Sequence, residues 1–318
     1  MKRWLTHHKL MPGKQRKSQF FFLAGGLISG YLLLCLGLFV QQRRVIYVPE
    51  AELALRPDTA EFGLVYQDVW VPIKNSAEQL HGWWLPALPN ETISIFSDEP
   101  QQVLSEPKTM LYLYGVGPNK GDRHAISRIA AFRQLGFSVL VVDYRGYGES
   151  QGNFPTEERL YEDAQAAWDY LLTELEISPE AVVIYGESMG GAIALNLATQ
   201  QPDAAGLIIQ SSFTTMADAV KYKPIGKLLP VKLLLTEKFN SLERIRNLQM
   251  PVLLLHGADD KSVPVRMSNE LYNAAPEPKR QLIIAGANHN SIYQPGADSY
   301  LKAIEVFVSD IDLTGTLE

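Results

Sequence analysis

The sequence predicts an α/β fold, a mostly parallel sheet with helices on both faces, preceded by one transmembrane helix. Three observations carry that expectation. From Met110 onward, short apolar runs alternate with helical patterns, as in strands joined by crossover helices. Two further apolar runs come before them and suit an antiparallel opening to the same sheet. Nearer the start, Phe20 to Val40 reads FFFLAGGLISGYLLLCLGLFV without one charge. At 1.5 Å per residue this run spans roughly 30 Å, the thickness of a hydrocarbon core.

Taken in order, residues 1–19 hold six Lys/Arg and no acid and read as a basic cytoplasmic N-terminus. Residues 20–40 read as an uncleaved anchor. The apolar run is longer than a signal-peptide core, and no A-x-A-like site follows in Gly37-Leu38-Phe39-Val40-Gln41. Leu34-Cys35 lacks the small residue expected before a lipidated cysteine. Basic residues before the span outnumber Arg43, Arg44 and Arg56 after it, although the Arg43-Arg44 pair pulls the other way. The positive-inside rule therefore keeps the N-terminus cytoplasmic and places residues 41–318, one domain, across the membrane.

Within that domain Val65–Ile73, Gln79–Leu88 and Met110–Tyr114 are expected strands. The polar stretch Asn90–Lys108, with the sequon Asn90-Glu91-Thr92, is an expected surface loop. Helix is expected at Ala125–Leu135, Glu157–Leu175, Gly190–Gln200, Val265–Ala275 and Tyr300–Ile311. Strand is expected at Phe137–Asp143, Ala181–Tyr185, Ala205–Gln210, Val252–His256 and Gln281–Ala285. Residues 213–250 break the alternation with an apolar, lysine-bearing stretch punctuated by Pro and Gly. Two readings stand side by side. One is a crossover helix on the sheet. The other is a small lid whose leucines line an acyl pocket or touch a bilayer while its lysines snorkel.

Composition excludes several classes. Beyond residue 19 the chain holds 23 basic against 35 acidic residues, a balance of −12 that suits no nucleic-acid partner. Cys35 is the single cysteine, so neither an intramolecular disulfide nor a thiolate cluster is available. The chain shows no Gly-x-Gly-x-x-Gly after its first strand and no Gly-Lys-[Ser/Thr] loop. It also shows no His/Cys/acid cluster of metal-ligand spacing. No cofactor and no metal are expected.

The chemistry centres on Gly186-Glu187-Ser188-Met189-Gly190, which follows a β-branched run and opens a small-residue helical run. A strand, a sharp turn and a helix expose the Ser188 hydroxyl at the end of a sheet. They also leave the Met189 N–H at a helix N-terminus, where it can donate to an oxyanion. A serine nucleophile needs a base, and the base needs an orienting acid. In this kind of sheet they follow in the order Ser, acid, His. His289 lies on the loop after the strand ending near Ala285 and is the expected base. Asp259 and Asp260, after Val252–His256, are adjacent candidates for the acid. The second oxyanion donor is expected from the turn after Met110–Tyr114, at the Val116 N–H. His256 reads as a packed histidine, and His7, His8, His81 and His124 have no supporting context.

These residues, with Asp143-Tyr144-Arg145-Gly146-Tyr147-Gly148-Glu149-Ser150, Ser211-Ser212-Phe213-Thr214, Phe239-Asn240-Ser241, His256–Pro264 and Gly286–Asn290, resemble an α/β-hydrolase of the membrane-anchored α/β-hydrolase-domain type. The resemblance covers about residues 45–310 and implies the α/β-hydrolase fold. It implies Asp260 as the acid, and a pocket-shaping, non-chemical role for Asp143–Ser150. Two departures touch the oxyanion loop: Tyr114-Gly115 stands where the family has His-Gly, and Val116–Asp122 is unlike the usual Gly/Asn-rich turn. The implied activity is serine hydrolysis of an ester, thioester or amide. A small-molecule or lipid-borne acyl substrate is expected, since residues 20–40 hold the domain at a membrane. An aminopeptidase on the same triad would need an acid for the substrate amine, and Glu149 and Glu187 are the candidates. A catalytically silent scaffold is the remaining alternative.

Overall fold

The computed structural model describes residues 13–87, 108–117, 119–293 and 297–315. The expected loop Asn90–Lys108 and its sequon lie almost wholly outside them. The chain forms two compact units, Met1–Gln42 and Arg43–Glu318. Helix α1 (Gly13–Ile46), most of it in the first, carries the stretch Phe21–Ile46, whose most apolar 18-residue window has a mean hydropathy of 2.1, long and apolar enough to cross a membrane. The helix outruns the apolar run because Lys, Arg and Gln on its flanks are themselves good helix formers.

The second unit is built on eight strands among the described residues: β1 (Gln67–Pro72), β2 (Gln79–Leu85), β3 (Thr109–Leu113), β4 (Ser138–Val142), β5 (Val182–Glu187), β6 (Gly206–Gln210), β7 (Val252–Gly257) and β8 (Lys279–Ile284). They form one sheet in the order β1-β2-β4-β3-β5-β6-β7-β8. The β1–β2 and β2–β4 pairs are antiparallel and the remaining pairs parallel. The sheet is mixed, with helices on both sides. Burial follows position. Strands β3 and β6 are buried at every residue, as covered parallel strands require, whereas the edge strand β1 alternates.

Helix α2 (Arg123–Gln134) starts at Asp122, whose carboxylate accepts the His124 and Ala125 N–H groups, and stops before Gly136 at φ +95°. Helix α3 (Glu157–Thr173) is capped by Thr156, and α4 (Met189–Ala198) follows β5 directly. The stretch 213–250 is not one crossover helix. It breaks into α5 (Met216–Tyr222), a 3-10 turn (Ile225–Leu228), α6 (Val231–Leu234) and α7 (Ser241–Arg244). Pro224 and Pro230, which cannot donate to a helical ladder, sit at the breaks. Its far end is fixed by two exchanged carboxylates. Glu237 accepts the Glu157 N–H at 2.6 Å, Arg43 Nε at 2.8 Å and Tyr47 OH at 2.5 Å. Glu157 in turn accepts the N–H groups of Lys238 and Phe239. Helices α8 (Val265–Ala274) and α9 (Ala297–Gly315) complete the unit.

Candidate active site

Strand β5 ends in the turn that carries Ser188, whose backbone sits at φ +51°, ψ −118°, a strained position for a non-glycine residue. Two glycines make room for it. A Cβ on Gly186 would come within 2.3 Å of the Gly190 carbonyl oxygen, and one on Gly190 within 2.0 Å of the Leu113 oxygen. The Ser188 N–H donates to the Gln210 carbonyl at 2.8 Å, tying the turn to the end of β6.

His289, on the loop after β8, brings Nε2 to 3.1 Å from Ser188 Oγ and Nδ1 to 2.6 Å from Asp260 Oδ2. Of the two adjacent acids it is Asp260 that turns inward; Asp259 is exposed. Asp260 Oδ1 accepts the Ser262 and Val263 N–H groups at 2.7 and 2.9 Å. Burial works to raise its pKa, but hydrogen bonds from His256 and His289, the His289 charge and the Val263 N–H outweigh it. They hold the carboxyl well below its ordinary range. His256 is fully buried with Nε2 2.9 Å from the Val263 oxygen, the packed histidine expected, and also lies 3.3 Å from Asp260 Oδ2.

Gly115 backs onto the serine: a Cβ there would lie 3.1 Å from Ser188 Cβ and 3.7 Å from Oγ. The Val116 peptide thus flanks Ser188 on one side, and Met189, first residue of α4, follows it on the other. The departures in this loop are tied to one buried carboxylate, Asp143. Its Oδ1 accepts Tyr114 OH at 3.0 Å and the Lys120 N–H at 2.8 Å, and its Oδ2 pairs with Lys120 Nζ. Lys120 is fully buried, 2.9 Å from His81 Nδ1 and over the Trp83 ring at 4.7 Å. Burial lowers its pKa, partly offset by Asp143. Asn119 fixes the middle of the loop by donating to the Glu50 and Glu52 carbonyls at 3.0 and 2.7 Å.

A cleft of about 260 Å³ opens beside Ser188, walled by the Gly115–Gly117 turn, Asp122, His124, Arg128, Glu187, Gln210, Ser211, His289 and Asn290. Among the described residues, Val116 is the one branched aliphatic side chain on that wall, and no residue of 213–250 reaches it. The expectation that leucines of that segment line an acyl pocket at the serine is therefore not met. A larger hollow, about 570 Å³, lies at the opposite ends of β7 and β8 around Pro251 and Lys279, away from this chemistry. Sequence reasoning missed Asp122, His124, Arg128, Gln210, Ser211 and Asn290. The signal available for most was position, since Asp122, Ser211 and Asn290 lie on strand-end loops, Gln210 ends β6 and His124 opens α2, whereas Arg128, inside α2, carried none.

Both acids considered for an amine site are already neutralised. Glu187 pairs with the buried Arg128, which also donates to Tyr112 OH at 3.3 Å. Glu149 pairs with Arg56 at 2.8 Å and His81 at 3.1 Å and does not line the cleft. Asp68, His81 and Glu149 are close enough to hold a metal ion. However, Arg56 and Lys120 already supply the cluster's positive charge. Burial and then the Lys120 charge lower the pKa of His81. The donor set fits an ion network better than a metal.

Residues 125–242 match the serine aminopeptidase, S33 family. An uncharacterized protein of Mycobacterium tuberculosis is 34% identical over 278 residues, covering 86% of this chain and 90% of that one. The alpha/beta hydrolase domain-containing protein WAV2 of Arabidopsis thaliana is 27% identical over 310 residues, covering 90% and 92%. A solved esterase of Pyrococcus furiosus is similar in fold, with a TM-score of 0.65 at 20% identity over 83% of this chain and 97% of its own.

Proposed function

Because the chain belongs to the α/β-hydrolase superfamily, in its α/β-hydrolase domain-containing type, we propose that it is a membrane-anchored serine hydrolase cleaving an acyl ester or thioester. The observation that carries this reading is the unbroken relay from Ser188 Oγ to His289 Nε2 and from His289 Nδ1 to Asp260. Ser188 attacks the acyl carbon as His289 takes its proton. The Met189 and Val116 N–H groups receive the oxyanion, and His289 returns the proton to the leaving alcohol or thiol. Asp260 holds the tautomer and offsets the imidazolium charge. Water then repeats the sequence on the acyl-enzyme.

The small volume of the cleft, about 260 Å³, favours a short acyl group. The aminopeptidase alternative fares worse despite the family match, because Glu187 and Glu149 each face a cation already. In the same proposal α1 is a single-pass anchor with its N-terminus cytoplasmic.

The test is a fluorophosphonate probe on residues 43–318, followed by p-nitrophenyl esters of increasing chain length and aminoacyl-nitroanilides. Labelling lost in Ser188→Ala, and rates that fall with chain length, support the reading. No labelling of folded wild type would favour the silent scaffold, and turnover of the nitroanilides alone would favour the peptidase.

A further inference from the structure

Between Ala219 and Thr236 the chain carries four lysines and not one acid, in a domain that is otherwise strongly acidic. The same stretch exposes Ile225, Leu228 and Leu233; Leu233, at 84%, is the most exposed large apolar side chain among the described residues of Arg43–Glu318. Helices α5 and α6 and the 3-10 turn between them pack on one another, so the stretch is a cap and not a free loop. Lys223, Lys227 and Lys232 are exposed as well, and Lys227 and Lys232 have no carboxylate partner among the described residues. The cap belongs to the reactive end of the sheet. It follows Ser211 of the cleft wall, and Lys223 Nζ donates to the Lys261 carbonyl, next to Asp260.

We infer that this cap is a docking surface for an anionic lipid bilayer, with Ile225, Leu228 and Leu233 entering the acyl region and Lys223, Lys227 and Lys232 meeting lipid phosphates. The pattern argues for lipid over protein. Aliphatic tips alternate with lysines whose stems can lie along acyl chains while their ammonium groups stay at the surface. An acidic protein partner would give Leu233 no reason to be bare, and an apolar one would leave the lysines unmet. The domain's net negative charge does not prevent docking, because charges farther than a Debye length, about 10 Å at 0.1 M salt, are largely screened while the cap's lysines are in contact. Docking in this way would bring the mouth of the cleft to the head-group layer. The inference concerns binding and stands whatever bond Ser188 cleaves.

The experiment uses residues 43–318, which form a compact unit with their own core. They are sedimented with phosphatidylglycerol vesicles and with phosphatidylcholine vesicles over a range of salt. Binding to the anionic vesicles that weakens with salt is expected, falling about tenfold or more in Ile225→Asp/Leu233→Asp. Lys227→Gln/Lys232→Gln should weaken it and flatten the salt dependence. Fluorophosphonate labelling and the melting temperature check that each variant is folded. No binding by labelled wild type overturns the inference, as does binding that survives both double variants. A solution dimer that Leu233→Asp dissociates would also overturn it, assigning the patch to a second copy. Vesicle binding without labelling would count against the proposed hydrolase and leave the docking surface standing.

Discussion

Two segments crown the same end of the sheet and are held in opposite ways. The loop proposed to supply an oxyanion donor, Gly115–Asp122, is drawn inward by one buried carboxylate, Asp143, through Tyr114 and Lys120. The cap, Met216–Lys238, is fixed at its ends by Thr215 and by the Glu237–Glu157 exchange, and exposes its middle. The difference teaches what each backbone is for. A peptide that must donate to a developing charge needs a fixed position, because donors stabilise only the site at which they are aimed. A segment that meets the surroundings needs only its ends placed.

That contrast can be broken or sharpened by measurement. The largest effect should come from Ser188→Ala, with kcat on a short ester falling about ten-thousandfold and the fold intact. Retained turnover would remove the chemistry from this end of the sheet altogether. Next, Lys120→Met should lower kcat about ten- to a hundredfold with KM little changed, because a loosened Val116 N–H affects the transition state more than the ground state. Breaking this buried pair should also cost roughly 3–5 kcal/mol in urea unfolding. An unaltered kcat at full occupancy would mean that the loop needs no clamp.

Tyr114→Phe removes one neutral donor to Asp143 while Lys120 remains, so a loss of about 1–3 kcal/mol in stability and a smaller drop in kcat are expected. Asp260 offers a test through pH. Its folded pKa is depressed, so its stabilisation is present above the unfolded carboxyl range, near about 4, and is lost as pH falls through the folded value. The stability advantage of wild type over Asp260→Asn should therefore be level near neutral pH and shrink progressively as the pH falls below about 5 in urea titrations. A difference independent of pH would dissociate the carboxylate from its two histidines. The smallest effect should come from Leu228→Ser in the cap, with stability within about 0.5 kcal/mol and unchanged turnover of a soluble ester.

The parts legible in the sequence were those governed by local chemistry. The Gly186–Gly190 elbow fixes its own turn, and the alternation of apolar runs fixed the parallel strands to within a few residues. Asp260 was separable from Asp259 only by resemblance, since a one-residue step decides which side chain of a tight turn points inward. The clamp could not be read at all. Asp143 and Lys120 lie 23 residues apart, and nothing local marks a lysine that will be fully buried. Arg128 escaped for the same reason: its partner, Glu187, is 59 positions away and was judged without it. The cap's apolar residues were visible, but whether they face inward or outward is a tertiary fact.

The exchange at Glu237 also defines where a functional fragment must begin. Its carboxylate is 3% exposed and takes donors from Arg43, inside the apolar helical stretch Phe21–Ile46, and from Tyr47, just past it. A cut that leaves Arg43 in place preserves them. A cut after Tyr47 would strand a buried negative charge and loosen the chain ends on either side of Glu237, among them the base of the cap. Proteolytic release within the apolar run would thus leave an intact hydrolase domain, whereas trimming only a few residues further would not.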